Sequence, residues 1–160
     1  MDQSIEVLKR RWIRVFPGLG SDPHFKITSP ATPDYNCIAW ACNYNDRWMQ
    51  PPSLTQPPFD SVVYWPNGVA QGMDVDCLVE AFKSKGYELC SDALHEDGFL
   101  KVALYTERGT RTWTHAAREL RNGFWTSKLG QGNDIQHGTP FTIEGDVYGV
   151  VSCILKRSFP

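Results

Sequence analysis

The chain has no block of like charge, no long apolar run and too few cysteines for a disulfide scaffold. Lys and Arg number 16 and Asp and Glu 18 among 160 residues, a formal net charge of -2. A nucleic-acid surface is ordinarily basic, so no nucleic-acid partner is expected. No segment reaches the ~18 consecutive apolar residues of a membrane-spanning helix, and no membrane association is expected. The opening M-D-Q-S-I-E-V-L-K-R-R carries charges where a cleavable secretory signal needs an unbroken apolar stretch. The expected location is the cytoplasm, and export of a bacterial effector without a cleaved signal fits the same pattern. The five cysteines, at positions 37, 42, 77, 90 and 153, are odd in number and scattered, which favours free thiols in a reducing compartment.

Metal chemistry is disfavoured too. Cys37 and Cys42 leave a four-residue gap at the edge of zinc-ligand spacing, and His115 and His137 lie far along the chain. No metal and no cofactor is expected. There is no internal repeat or low-complexity segment, and 41% hydrophobic content suits one domain spanning residues 1–160.

What is present divides into three stretches. Residues 1–33 hold a helix over Ser4–Phe16, with Ile5, Leu8, Trp12 and Val15 as its stripe, then a loop with a short strand in F-K-I-T. Residues 34–86 hold a short helix carrying Cys37, an aromatic, proline-rich excursion over Met49–Gly72, and a helix from Asp74. That second helix has an acidic cap, the stripe Val75, Leu78, Val79 and Phe82, lysines in its last turn and Gly86 beyond it. Residues 87–160 read as strands at Tyr87–Cys90, Phe99–Tyr105, Thr112–Leu120, Phe124–Leu129 and Tyr148–Leu155. Gly109 and Asn122-Gly123 mark turns between them. Helices first and a largely antiparallel sheet second make an α+β fold.

The stretch with chemical promise is D-Y-N-C-I-A-W-A-C-N, Asp34–Asn43. Pro30 and Pro33 hold the chain extended before it, and Asp34 or Asn36 caps the helix that follows. Free N–H groups at a helix start stabilise a thiolate, whose ordinary pKa is about 8.5, and can also hold an oxyanion. Cys37 is therefore the candidate nucleophile, and it is expected to alkylate near neutral pH faster than the other four thiols. His115, in T-W-T-H-A-A-R-E-L, is the candidate base and acid, with small alanines beside it.

Y-N-C-I-A-W, T-H-A-A and W-T-S-K-L-G together resemble the papain-like cysteine hydrolase superfamily, including the bacterial peptidoglycan amidases and endopeptidases of CHAP type, over roughly residues 34–140. The resemblance implies a Cys at the start of a helix packed on an antiparallel sheet, a His on an early strand and a polar orienting residue on the next. It assigns that third place to Ser127, where papain-like enzymes carry Asn or Asp, with His137 or Asp134 as further candidates from the loop after Gly132. No glutamine precedes Cys37, so Asn36 is the nearest oxyanion side chain. The implied reaction is cleavage of a peptide or peptidoglycan-type amide through a Cys37 thioester, with Trp40 and Trp65 as candidate substrate contacts. The alternatives are acyl transfer of transglutaminase type and a non-catalytic papain-like binding or adaptor protein.

The hairpin between the two strands decides the third residue. A two-residue Asn122-Gly123 turn pairs Arg118 with Ser127 and turns Ser127 away from His115. A three-residue Arg121-Asn122-Gly123 turn shifts the register by one and brings Ser127 onto the His115 face.

Overall fold

A computed structural model describes residues 3–54 and 62–159. Its centre is a seven-stranded sheet in the order β1-β8-β7-β6-β5-β9-β4, every neighbour antiparallel. The strands are β1 (Lys26–Ile27), β4 (Glu88–Cys90), β5 (Phe99–Thr106), β6 (Trp113–Glu119), β7 (Trp125–Lys128), β8 (Asp134–His137) and β9 (Val150–Ser158). The fold is α+β, as its sequence implies.

The alternation along β5 sorts the core into two layers. Val102 and Leu104 join one cluster with Ala116 and Leu155. This face is covered by α2 (Cys37–Ala41) and α3 (Val75–Lys83). Ala103 and Tyr105 join the other cluster, with Ala117, Trp125 and Ile135. Here the cover is the end of α1 (Gln3–Val15) and two 3-10 segments, Pro17–Ser21 and Pro140–Ile143. Of the expected stripe Trp12 joins this cluster, together with Ile13 and with Phe16 just beyond the helix, while Ile5 and Val15 stay exposed.

The two short helices are specified locally. In α3 the Asp74 carboxylate accepts the Asp76 N–H and pairs with Arg111, and Val75, Leu78, Val79 and Phe82 are buried. In α2, Asn36 rather than Asp34 is the cap, accepting the Ala39 N–H at 3.0 Å. The helix stops at Asn43, whose φ of 72° is a left-handed conformation that Asn tolerates. The Trp40 carbonyl accepts the Asn43 N–H at 3.0 Å and also Arg118 Nε at 3.1 Å.

Two features depart from the sequence reading. β8 was expected to be loop, yet D-I-Q-H pairs along its whole length with β7 and is buried throughout. Within the proline-rich excursion, β2 (Trp48–Met49) runs parallel to β3 (Val63–Tyr64), while residues 55–61, which the excursion includes, lie outside the described residues. Among the described residues no helix is long and apolar enough to cross a membrane.

Candidate active site

The β6–β7 turn has three residues. Leu120 N–H donates to the Phe124 carbonyl and Arg118 pairs with Thr126, which places Ser127 on the His115 side. The paired part of the β6–β7 ladder covers only Arg118↔Thr126 and Glu119↔Trp125. Beyond it the strands part, and the polar side chains of the site bridge the fork.

Three of them form one chain of hydrogen bonds. His115 Nε2 lies 3.0 Å from Ser127 Oγ, Ser127 Oγ lies 2.8 Å from His137 Nε2, and His137 Nδ1 lies 2.8 Å from the Thr139 carbonyl. All three side chains are fully buried. Burial holds the His137 pKa down to about 4 and the His115 pKa well below its ordinary value of 6.5, and nearby His137 depresses His115 further. Both rings are neutral at pH 7, so each carries one proton.

Donor logic then fixes where those protons sit. The Thr139 carbonyl can only accept, so His137 carries its proton on Nδ1 and Nε2 accepts. Ser127 must spend its single proton on that nitrogen, so it accepts from His115, whose proton is on Nε2. The remaining nitrogen, His115 Nδ1, bears a lone pair. It is buried and has no hydrogen-bond partner among the described residues. A buried acceptor with no partner is unusual enough to call for a chemical explanation.

Cys37 opens α2 on the opposite face, half-buried against the cluster that α2 and α3 cover. Its sulfur is approached by the N–H groups of Ala116, Ile38 and Cys37 itself. The Asn36 cap uses the Ala39 N–H and leaves the first-turn N–H groups of Cys37 and Ile38 to favour the thiolate. The expectation that the helix start depresses the thiol pKa is overturned, because burial raises it to about 11, outweighing those N–H groups and the Lys128 charge. A helix of five residues has little dipole to set against that burial. The resting pair at pH 7 is thus neutral thiol and neutral imidazole, and Cys37 alkylation in the resting protein should be slow at neutral pH.

The other sequence candidates fall elsewhere. Asn36 is fully engaged: Oδ1 accepts from Ala39 and Met49, and Nδ2 donates to the Met49 carbonyl and to Gln50. That leaves no amide proton for an oxyanion, so the donors available are backbone N–H groups. Trp40 ties α2 to β7 through Nε1–H donated to Thr126 Oγ1 at 2.9 Å, and Trp65 is buried with its indole donating to the Val69 carbonyl. Asp134 lies on the α2 side, where Tyr35 donates to its Oδ2 at 2.6 Å and Oδ1 has no partner among the described residues.

Sequence reasoning missed Tyr148 and Lys128. The Tyr148 ring stacks on His115, 3.9 Å between centroids and 8° from parallel. Lys128 is buried and donates to the carbonyls of Thr32, Gly130 and Gly132. No periodicity could mark Tyr148, which sits in a turn, and a strand lysine reads as a surface residue. A depression of about 810 Å³ lined by Leu94, Trp125, Phe141 and Ile154 contains neither Cys37 nor His115, so hydrogen-bond geometry rather than cavity size identifies this site. Among the described residues no group of His, Cys, Asp and Glu has the arrangement of a metal site.

Neither a curated protein nor a solved structure matches the chain. A family model described as Domain of unknown function (DUF7689) matches residues 26–156, most of the chain, and the protein belongs to that family.

Proposed function

We propose that the protein is a cysteine-dependent amide hydrolase of papain-like architecture, acting on a peptide or peptidoglycan-type amide. The observation that supports this most is the lone pair left on buried His115 Nδ1 by the relay through Ser127 and His137. A neutral imidazole with one fixed tautomer is what a general base requires.

In this reading the Cys37 thiol gives its proton to His115 Nδ1 as sulfur bonds to the substrate carbonyl carbon. The carbonyl π electrons move to oxygen, and backbone N–H groups at the start of α2 stabilise that charge. Collapse re-forms the carbonyl and breaks the C–N bond. The departing amine takes the proton back from His115, leaving a thioester on Cys37. Water, deprotonated by His115, then attacks the thioester and releases the acid and the thiol. An amine attacking in place of water gives the acyl-transfer variant by the same steps. The high thiol pKa and the sealed base favour the competing reading, a binding protein on a papain-like scaffold, unless the site opens.

The test is intact-protein mass spectrometry after exposure to peptides and cell-wall fragments. Wild type should acquire a hydroxylamine-labile acyl adduct on Cys37, and Cys37→Ala should acquire none while retaining uncleaved substrate. Turnover by Cys37→Ala equal to wild type would rule the mechanism out.

A further inference from the structure

Helix α1 has two unlike faces. Lys9, Trp12, Ile13 and Phe16 follow the three- and four-residue steps of one helical stripe and turn inward, with Lys9 Nζ 5.4 Å from the centre of the buried Phe25 ring. Val7, Arg10, Arg11, Arg14 and Val15 follow the same steps on the opposite side, and all five are exposed. The two valines, 51% and 36% exposed, flank the three guanidinium groups. None of these arginines has a hydrogen-bond or ion-pair partner among the described residues, whereas Arg47, Arg111 and Arg118 are each held by one. Glu6 is the only acid in the helix. The outer face of α1 therefore carries uncompensated positive charge within a chain whose total is -2.

A guanidinium pairs with phosphate oxygens two at a time. A valine beside it gains nothing from a phosphate and only from leaving water. The surface of an anionic phospholipid bilayer offers both contacts, phosphates in the headgroups and apolar material just beneath them. A nucleic-acid backbone would use the arginines and leave the valines in water.

We propose that the outer face of α1 docks the protein on anionic phospholipid bilayers, the three arginines pairing with headgroup phosphates and Val7 and Val15 entering the headgroup layer. A helix that lies on a bilayer needs no apolar span, so docking is compatible with the absence of a membrane-crossing helix among the described residues. α1 covers the sheet face opposite α2, so the docked protein keeps its α2 side turned away from the lipid. Docking makes no use of Cys37 or His115.

The test is sedimentation of the full chain with vesicles of phosphatidylcholine alone and of phosphatidylcholine mixed with phosphatidylglycerol. Binding should be at least about tenfold stronger on the anionic vesicles and should fall steeply as salt is raised from about 0.05 to about 0.5 M, which shortens the reach of the charges severalfold. Arg10→Gln, Arg11→Gln and Arg14→Gln together should weaken it by about 100-fold, or about fivefold for each charge, with helix propensity kept. Val7→Ser with Val15→Ser should weaken it by about tenfold and leave the salt dependence in place. Both variants change exposed side chains only, and a far-UV circular dichroism spectrum matching wild type confirms that they fold. Equal binding to both kinds of vesicle, or undiminished binding by the arginine variant, would overturn the proposal. Undiminished vesicle binding by the valine variant, or poly(dT) bound through the same arginines without any vesicle binding, would overturn it in favour of a soluble polyanion.

Discussion

Ser127→Ala should lower turnover by about 10² to 10³-fold, within the range that general-base catalysis contributes. The hydroxyl is the single link between two buried imidazoles, accepting from His115 and donating to His137. Without it His115 Nε2–H has nothing to donate to, and the tautomer with the proton on Nδ1 loses its penalty. That tautomer cannot take a proton from Cys37. The cost should appear in kcat with little change in KM, because Ser127 is buried behind the base and does not face substrate. Stability should fall as well, by roughly 1–3 kcal/mol, since two buried ring nitrogens lose their partner. A variant with wild-type kcat would mean that the relay does not orient the base.

Lys128→Met should be the most damaging substitution for stability, by roughly 3–5 kcal/mol in urea denaturation, the range for removing one member of a buried charged network. The ammonium has three protons and three carbonyl acceptors, one each at Thr32, Gly130 and Gly132. It thereby ties the proline-rich approach to Cys37 to the loop between β7 and β8. Its pKa is lowered by burial, a cost that Asp134, opposite it in the ladder, partly offsets. Methionine fills the volume but leaves three carbonyls unpaired and the Asp134 carboxylate without a nearby cation. A loss below about 1 kcal/mol, typical of surface ion pairs, would contradict this role.

The parts of the fold set by near neighbours were legible in the sequence. Asp74 and Asn36 cap their helices because a short side-chain oxygen meets an N–H two or three residues on, which a sequence displays directly. Ser127 was legible as a choice between two registers, and a single turn hydrogen bond, Leu120 to Phe124, decides it. β8 was not legible, since D-I-Q-H carries one apolar residue and is buried by its partners rather than by its pattern. The thiol pKa failed for a related reason: position at a helix start is local, but burial under the sheet is not. The Trp40 and Trp65 rings, read as substrate contacts, are held by intramolecular hydrogen bonds.

Histidine protonation also sets the pH response of stability. His137 has a folded pKa of about 4 against an ordinary 6.5, and His115 is lowered too. The unfolded chain therefore binds these protons first as pH falls. Their contribution is complete above the unfolded value and is lost as pH drops from about 6.5 towards about 4.

The most direct test of the account is the ¹⁵N spectrum of the two imidazoles between about pH 5 and pH 8, the window in which an ordinary histidine titrates. Both should remain neutral throughout, with the proton on Nε2 in His115 and on Nδ1 in His137, leaving the lone pair on His115 Nδ1. An imidazolium at His115 above pH 6, or a proton on its Nδ1, would contradict it.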